Sequence, residues 1–424
     1  MSNNSIDLAM PSPETQRSEY TVRYVWLVLA LLIAASFFNY FDRVSLGVLK
    51  TTLKETFHLD DSGYALLVNA FTVCYAGSYI ASGWFVDRFG ARLSLTLFIA
   101  LWSMVTVGCG LAQSLWQLML MRALLGVAEP GLHPVSIRTA TLLTGDRTRR
   151  LGRGLFMALI ACGGTLGTIA AGPIIVWLTT NYHWRYAFVL PGIGGLVLAV
   201  VWWVTYRESQ DTATPASSLE ASRPPLAWSA LWRQKALWGI LIGRLLADPV
   251  VYFCVFWMYS YLQENKGVSF AQLGMISWIP PLAGQLGGVV FTALSDHVAR
   301  RSGFLGRKRL AITAALFAPL CLLIPVSGNH TLTIALFCVL FIVHNCWMGS
   351  YPPIIAEIFP VGNVGSIWGI AGAFGASGAV VFNWMVGQAT QWFSWGTLFM
   401  ILACLHPAAA LIMHLLIRPP HRER

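Results

Sequence analysis

Charge is scarce in this chain. Asp, Glu, Lys and Arg make up 11% of its 424 residues, against roughly 25% in soluble domains. A water-soluble enzyme or binding module is hard to build from so little. The usual chemical signatures are missing too: no G-x-x-x-x-G-K-[ST] phosphate loop, no H-E-x-x-H and no G-x-S-x-G occurs. No C-x-x-C occurs either. The eight cysteines (Cys74, Cys109, Cys162, Cys254, Cys321, Cys338, Cys346 and Cys404) all lie in apolar runs. They read as small core residues, not as a disulfide framework or a zinc site. No enzyme activity, cofactor or metal is expected. The apolar runs are long and do not alternate, which excludes an outer-membrane barrel. The first twenty residues are polar, with no signal-peptide pattern before Arg23. The first apolar segment is expected to act as an uncleaved insertion signal.

What the chain does have is apolar length. Hydrophobic residues make up 56%, and the mean hydropathy is +0.62. A spanning helix needs about 20 apolar residues. Twelve such segments are expected, at 23–49, 63–86, 91–111, 114–141, 153–178, 185–206, 236–262, 270–296, 309–327, 331–357, 364–390 and 394–417. The fold class is all-α integral membrane. Arg207–Gln234 is rich in Ser, Pro, Ala and charge and reads as a linker. The expected organisation is a tail over 1–22, a six-helix bundle over 23–206, the linker over 207–234, a second six-helix bundle over 235–418, and a tail over 419–424.

The net charge of +10 does not imply nucleic acid, because the basic residues follow topology. Alternate loops hold Arg88 and Arg92; Arg147, Arg149, Arg150 and Arg153; Arg207, Arg223, Arg233 and Lys235; and Arg300, Arg301, Arg307, Lys308 and Arg309. Arg17, Arg23, Arg418, Arg422 and Arg424 flank or lie in the tails, whereas the opposite loops hold mainly Lys50, Lys54 and Lys266. The positive-inside rule then puts both termini in the cytoplasm.

Against this apolar background a few charges stand out. Glu129 lies within a mainly apolar stretch, Leu115–Ala140, and Arg122, Gly126, Glu129 and His133 fall on one stripe if that stretch is one helix. Asn39, Asp42 and Arg43 form a second set in the first segment. A charge at membrane depth costs at least about 2.5–3.5 kcal/mol on insertion scales, so such groups usually face a watery cavity and are paired. Acids and bases inside apolar helices point to a carrier of a proton and a charged solute.

The halves also look like diverged repeats. After the second segment the chain reads Gly83-Trp-Phe-Val-Asp87-Arg88-Phe-Gly90-Ala-Arg92; after the eighth it reads Ala293-Leu-Ser-Asp296-His-Val-Ala-Arg300-Arg301, then Gly306-Arg307-Lys308. Internal duplication of this kind is common in secondary transporters. The pattern G-x-x-x-D-R-x-G-x-R resembles the signature loop of the major facilitator superfamily. Tyr206-Arg207-Glu208-Ser209 and Glu357-Ile-Phe-Pro360 are similar to other motifs of that superfamily. Asn39-Tyr40-Phe-Asp42-Arg43, with Arg122-x-x-x-Gly126-x-x-Glu129-x4-Pro134-x3-Arg138, resembles its anion:cation symporter family. Arg244-Leu-Leu-Ala247-Asp248-Pro249 is similar to the hexuronate branch, alongside galactonate-type sugar-acid transporters. Thr144-Gly-Asp146-Arg147 departs from the aromatic-proline version usual in that loop.

The resemblance implies a major facilitator fold and proton-coupled uptake of an organic anion such as a hexuronate or aldonate. It implies that Asp42 and Glu129 carry the proton; a static ion-pair network is the plainer alternative. Burial and a neighbouring arginine pull such carboxyls in opposite senses. Arg43 and Arg122 either bind the substrate carboxylate or serve as counter-ions to the acids; Arg43 is the first candidate for substrate, because a guanidinium fits a carboxylate bidentately. Arg122 gates or tunes the acids or also meets substrate. Arg244 either meets an anion from the second half or is neutralised by Asp248 one turn away. Tyr40, Tyr75, Tyr351 and Asn383 offer hydroxyl-binding tips, with plain packing as the alternative. His133 reads as cavity-lining or packed, and His344, His406 and His414 as outside coupling. Gly163, Gly164 and Gly167, like Gly369, Gly372, Gly375 and Gly378, allow close helix approach. Asp87, Arg88, Arg92 and Asp296 are expected to latch the cytoplasmic side. Expected partners are the anion, protons and lipid, with no nucleic acid, and the carrier is expected to be a monomer. The rival functions are a proton-driven exporter of amphipathic compounds and a carrier of another carboxylate, such as an aromatic acid or a dicarboxylate.

Overall fold

Apolar runs this long can only satisfy their backbone inside lipid as helices, and every regular element described is helical. The computed structural model describes residues 21–144, 152–207, 226–392 and 394–419. The two tails, the loop holding Asp146, Arg147, Arg149 and Arg150, and the stretch holding Glu208, Ser209 and Arg223 lie outside them, wholly or in large part.

In chain order the helices are α1 Val22–Val48, α2 Lys50–Phe57, α3 Asp61–Leu111, α4 Leu115–Ala128, α5 Leu132–Thr144, α6 Arg153–Asn181, α7 Tyr186–Thr205, α8 Trp228–Trp232, α9 Lys235–Phe256, α10 Met258–Lys266, α11 Phe270–Ile276, α12 Ile279–Ala315, α13 Leu323–Val326, α14 His330–Ile358, α15 Val361–Trp392 and α16 Trp395–Leu416. Among the described residues, nine helices are long and apolar enough to cross a membrane. Three of the twelve expected segments fall out of that count for local reasons. Segment 63–86 forms the first part of α3, in one element with 91–111. Segment 114–141 is broken in two, and 270–296 merges with 309–327 into one run.

Three breaks matter for function. Inside α3, Gly90 takes φ 78°, ψ 170°, and inside α12, Gly303 takes φ 59°, ψ −154°. Only glycine enters these regions without strain, so the glycine of the signature loop is the point where the chain turns back. The other break corrects the single-helix reading around Glu129. The helix stops at Ala128, and Glu129–Gly131 form a 3-10 turn before α5 starts. Pro130 supplies no N–H and crowds the preceding carbonyls, so an unbroken helix is disfavoured there.

One buried apolar cluster draws on residues 25–206, a second on 231–417, and a third joins both groups. Large exposed apolar side chains such as Leu286, Val289, Val290, Leu316 and Phe317 face outward, as a lipid-facing surface requires. The core reading of the cysteines holds for Cys109, Cys254, Cys321 and Cys346; Cys162 and Cys404 are instead exposed. Part of the expected linker is ordered. The short α8 lies in it, and Asn363 of α15 bonds both backbone groups of Leu226 (2.7 and 3.1 Å).

The two groups meet most closely at the end opposite the Arg-rich loops, here the distal end. Gly47 lies against the Val255 carbonyl so tightly that a methyl group would collide. Tyr64 donates to the carbonyls of Leu46 (3.2 Å) and Phe256 (3.0 Å). Further along, Asn69 donates to the Val380 carbonyl (3.1 Å), Gln285 bonds Thr165, and Tyr79 rests on Gly369 and Gly372. Gly83 and Gly365, nearer the basic end, face open space.

Candidate functional site

The 3-10 turn presents Glu129 toward α1. Arg43 Nε stands 2.6 Å from Glu129 Oε2, and Asn39 donates to the Glu129 carbonyl oxygen at 3.4 Å. The other carboxylate oxygen of Glu129 has no protein partner. Asp42, one residue before Arg43, turns toward α3. It accepts from Thr106 of α3 at 2.9 Å and also leaves one oxygen unpartnered. Both acids are buried, at 2% and 1% exposure.

Arg122 is buried, and none of its three guanidinium nitrogens has a hydrogen-bond partner. Its guanidinium carbon sits 4.9 Å from the Phe71 ring centre, within electrostatic reach of both acids. Thus two acids and two arginines form one cluster of buried charge, and the carboxylate–guanidinium contact formed in it is Arg43 to Glu129. Of the two roles open to Arg43 in the sequence, substrate ligand or counter-ion, this state displays the counter-ion contact, to Glu129.

Arg43 is also ringed by aromatics. Its guanidinium carbon lies 4.5 Å from the ring centre of Tyr75, 5.2 Å from Tyr40 and 5.7 Å from Phe71. Tyr40 is 43% exposed, while Tyr75 is half-buried and packs edge-on against Tyr79. His133 also reaches the Tyr79 ring. From the other group, Tyr252 of α9 comes within electrostatic reach of Arg43 and Tyr75.

Across the seam, Arg244 binds Asp248 through three close contacts, Nε to both carboxylate oxygens (3.0 and 2.9 Å) and Nη2 to Oδ2 (2.6 Å). Self-neutralisation one turn apart is therefore realised. Nη1 remains unpartnered, and the guanidinium lies over Trp368 at 4.9 Å. Gly375 makes this possible, since a methyl group there would strike Asp248. Two expected hydroxyl-binding residues are enclosed instead. Asn383 is fully buried and accepts from Trp257 at 3.0 Å; Tyr351 is fully buried with its hydroxyl against Gly243.

The expected latch residues fall apart into different settings. Asp87 and Arg88 are exposed, and Asp87 makes no hydrogen bond or ion pair among the described residues. Arg92 instead donates to the Trp203 carbonyl (3.0 and 2.7 Å) and stacks on its ring. In the second half Asp296 pairs with Arg307 at 2.9 Å, and Arg307 also reaches Glu357 at 3.2 Å.

Sequence reasoning missed five groups. Tyr79 follows Tyr75 by one turn, and Tyr252 extends the Arg244–Asp248 stripe; both spacings were readable. Trp368 and Thr106 carried no such signal. The fifth is a distal ion cluster of Lys50, Lys54, Asp61 and Glu264. Burial alone would push the Asp61 carboxyl up, but the two ammonium groups hold it below the usual carboxylate range. Burial would lower Lys54, yet its bonds to Asp61 and Glu264 hold it above the usual amine range. For the enclosed Lys50 burial wins, and its ammonium is held below that range.

Buried, paired charges set between two helical groups, with no catalytic signature, define a polytopic membrane carrier. The Major Facilitator Superfamily profile matches residues 32–353, and the chain belongs to that superfamily. Over 438 residues it is 26% identical to the probable L-galactonate transporter of Escherichia coli, covering 99% of this chain and 95% of that one. It is 21% identical to the hexuronate transporter of Escherichia coli over 404 residues, covering 92% and 93%. A bacterial homolog of the human lysosomal transporter Spinster, solved in an inward-facing, occupied conformation, shares the fold. Its TM-score is 0.71 at 18% identity, covering 94% of this chain and 96% of that one.

Proposed function

We propose that this carrier couples proton entry to uptake of an organic anion, most closely a sugar acid of the hexuronate or aldonate class. The carrying observation is Arg43, which bridges a fully buried Glu129 side chain and the seam while keeping 18% of its own side chain exposed. An anion arriving in the seam competes with Glu129 for the same guanidinium, and protonation of Glu129 removes the competitor. Asp42, with one oxygen unpartnered, serves as the second proton-carrying acid. Tyr40 and Tyr75 flank the carboxylate site and offer hydroxyls to a polyol. Arg244 contributes positive charge from the facing helix, with Arg122 tuning the acids. The substrates named for the two Escherichia coli relatives support this class.

The excess of Lys and Arg at one end supports cytoplasmic termini. With the distal end closed, the conformation then faces inward, and alternating access moves the seam's opening to the other side. Purified carrier in proteoliposomes should accumulate a radiolabelled sugar acid under an inwardly directed proton gradient and acidify the lumen as it does. Accumulation without proton movement would reject coupling; no uptake or binding across a panel of sugar acids would reject the substrate class.

A further inference from the structure

At the distal end the two helical groups meet through charge. Lys50 Nζ lies 2.8 Å from Asp61 Oδ1 and 3.8 Å from Glu264 Oε2. Lys54 Nζ lies 3.0 Å from the same Asp61 oxygen and 3.4 Å from Glu264 Oε1. Beside them Thr51 bonds Gln263 at 3.0 Å. Lys50 is wholly enclosed, its ammonium 4.5 Å from the Trp257 ring centre and 5.5 Å from that of Tyr64. Its ion pair with Asp61 falls short of an aligned hydrogen bond.

The distribution across the seam is uneven. Lys50, Lys54 and Asp61 belong to α2 and α3, a net charge of +1; Glu264 belongs to α10 in the other group, a charge of −1. When the groups part, α10 withdraws the one acid it contributes. Two lysines are then left facing the opening with a single carboxylate between them. An ammonium that was enclosed must gain water or another anion, because an unpaired desolvated charge is costly.

We propose that Glu264 is a tethered stand-in for the incoming substrate. In this view Lys50 and Lys54 form an anion-recruiting site that appears at the distal mouth only while it is open, and the return of Glu264 to them locks it shut. The recruiting half rests on the organic-anion reading above; the lock does not. Positive charge at a mouth concentrates anions and speeds their encounter, an effect that salt suppresses.

The lock is tested on the full-length carrier in detergent by hydrogen–deuterium exchange. Glu264→Gln should raise exchange in residues 258–266 and 61–67, whereas the same segments of a Glu264→Asp variant, which keeps the charge, should stay nearer to wild-type protection. Unchanged exchange in Glu264→Gln, or equal loss of protection in Glu264→Asp and Glu264→Gln, overturns the lock. Recruitment is tested by transport kinetics of Lys54→Gln. KM for the sugar acid should rise about tenfold at low ionic strength with the maximal rate nearly kept, and the gap should close at high salt. An unchanged KM at low salt overturns recruitment. If the wild-type carrier moves no organic anion, recruitment falls with that reading, and the exchange data still decide the lock.

Discussion

Arg43 stands between Glu129 and the seam. Its Nε is 2.6 Å from Glu129 Oε2, and its side chain is the exposed member of the pair, at 18% against none for the acid. A substrate carboxylate can thus reach the arginine from a side that the acid does not occupy. In the proposed mechanism one guanidinium faces two rival carboxylates, and a proton on Glu129 decides between them. That competition would join proton binding to anion binding without any large movement of the side chains.

Glu129→Gln should therefore leave Arg43 free and keep or tighten anion binding, while gradient-driven accumulation falls to background. Asp42→Asn should also abolish accumulation. Counterflow exchange of labelled for unlabelled substrate should survive in at least one of the two. Parallel uptake and counterflow assays in proteoliposomes separate these effects, and normal accumulation in both variants would refute the coupling assignment.

Arg43→Lys keeps the charge but loses the planar fork and its stacking on Tyr75 and Tyr40. A charge-assisted hydrogen bond is worth about 1.5–3 kcal/mol, so carboxylate affinity should drop roughly ten- to a hundredfold. Amide analogues of the substrate should bind the wild-type carrier poorly. Isothermal titration checks both statements, and equal affinity for acid and amide would exclude an anion site.

The membrane class, the signature loops and the paired acids and arginines were legible because each breaks a strong background rule. Glu129 and Asp42 stand out only because their surroundings are apolar. Partner choice was not legible. Arg43 and Arg122 have the same side chain at similar depth, and only the 3-10 turn at Pro130 directs Glu129 to the first of them. The distal cluster was hidden for another reason. Lys50 and Lys54 looked like loop charges, and Glu264 lies more than two hundred residues away in sequence. Their meeting depends on how the two groups dock, which periodicity does not encode.

In the second half, Arg244 and Asp248 form a buried pair, and removing one partner strands the other. Asp248→Asn should cost about 3–5 kcal/mol of stability, visible as a lower melting temperature. Replacing both residues with apolar ones (Arg244→Met, Asp248→Leu) should recover much of that stability. If the double variant also transports normally, Arg244 is structural only. Gly375→Ala should behave like a weaker Asp248→Asn, since its methyl group pushes Asp248 aside.

The distal cluster also predicts where stability depends on pH. Asp61 has its carboxyl held below the unfolded value of about 3.9. Its contribution is therefore complete above that value and is lost as pH falls through the lower folded value. Lys54 is held above about 10.4, so its contribution is complete below that value and lost only at higher pH. Hence neither Asp61 nor Lys54 should titrate between pH 5 and 8. Melting temperatures of wild type and Asp61→Asn should differ by a constant amount across that window and converge below pH 4. A difference that grows or shrinks within the window would contradict the pairing.

Asp87 carries the last prediction. It belongs to the signature loop just before the Gly90 turn, yet it is exposed and makes no hydrogen bond or ion pair among the described residues. Arg92, its expected companion, is engaged with Trp203. The proposed latch gives a residue without a contact among the described residues its purpose in the other conformation, where the basic ends of the two groups would close. Asp87→Asn should leave the melting temperature of the inward-facing state within about a degree of wild type, as for a surface change. Transport should slow about two- to fivefold, the scale set by weak exposed ion pairs, as the inward-facing population rises. A cysteine reporter on the basic end should label faster in the variant than in wild type. Slower transport with unchanged labelling would mean that Asp87 serves folding and not the latch.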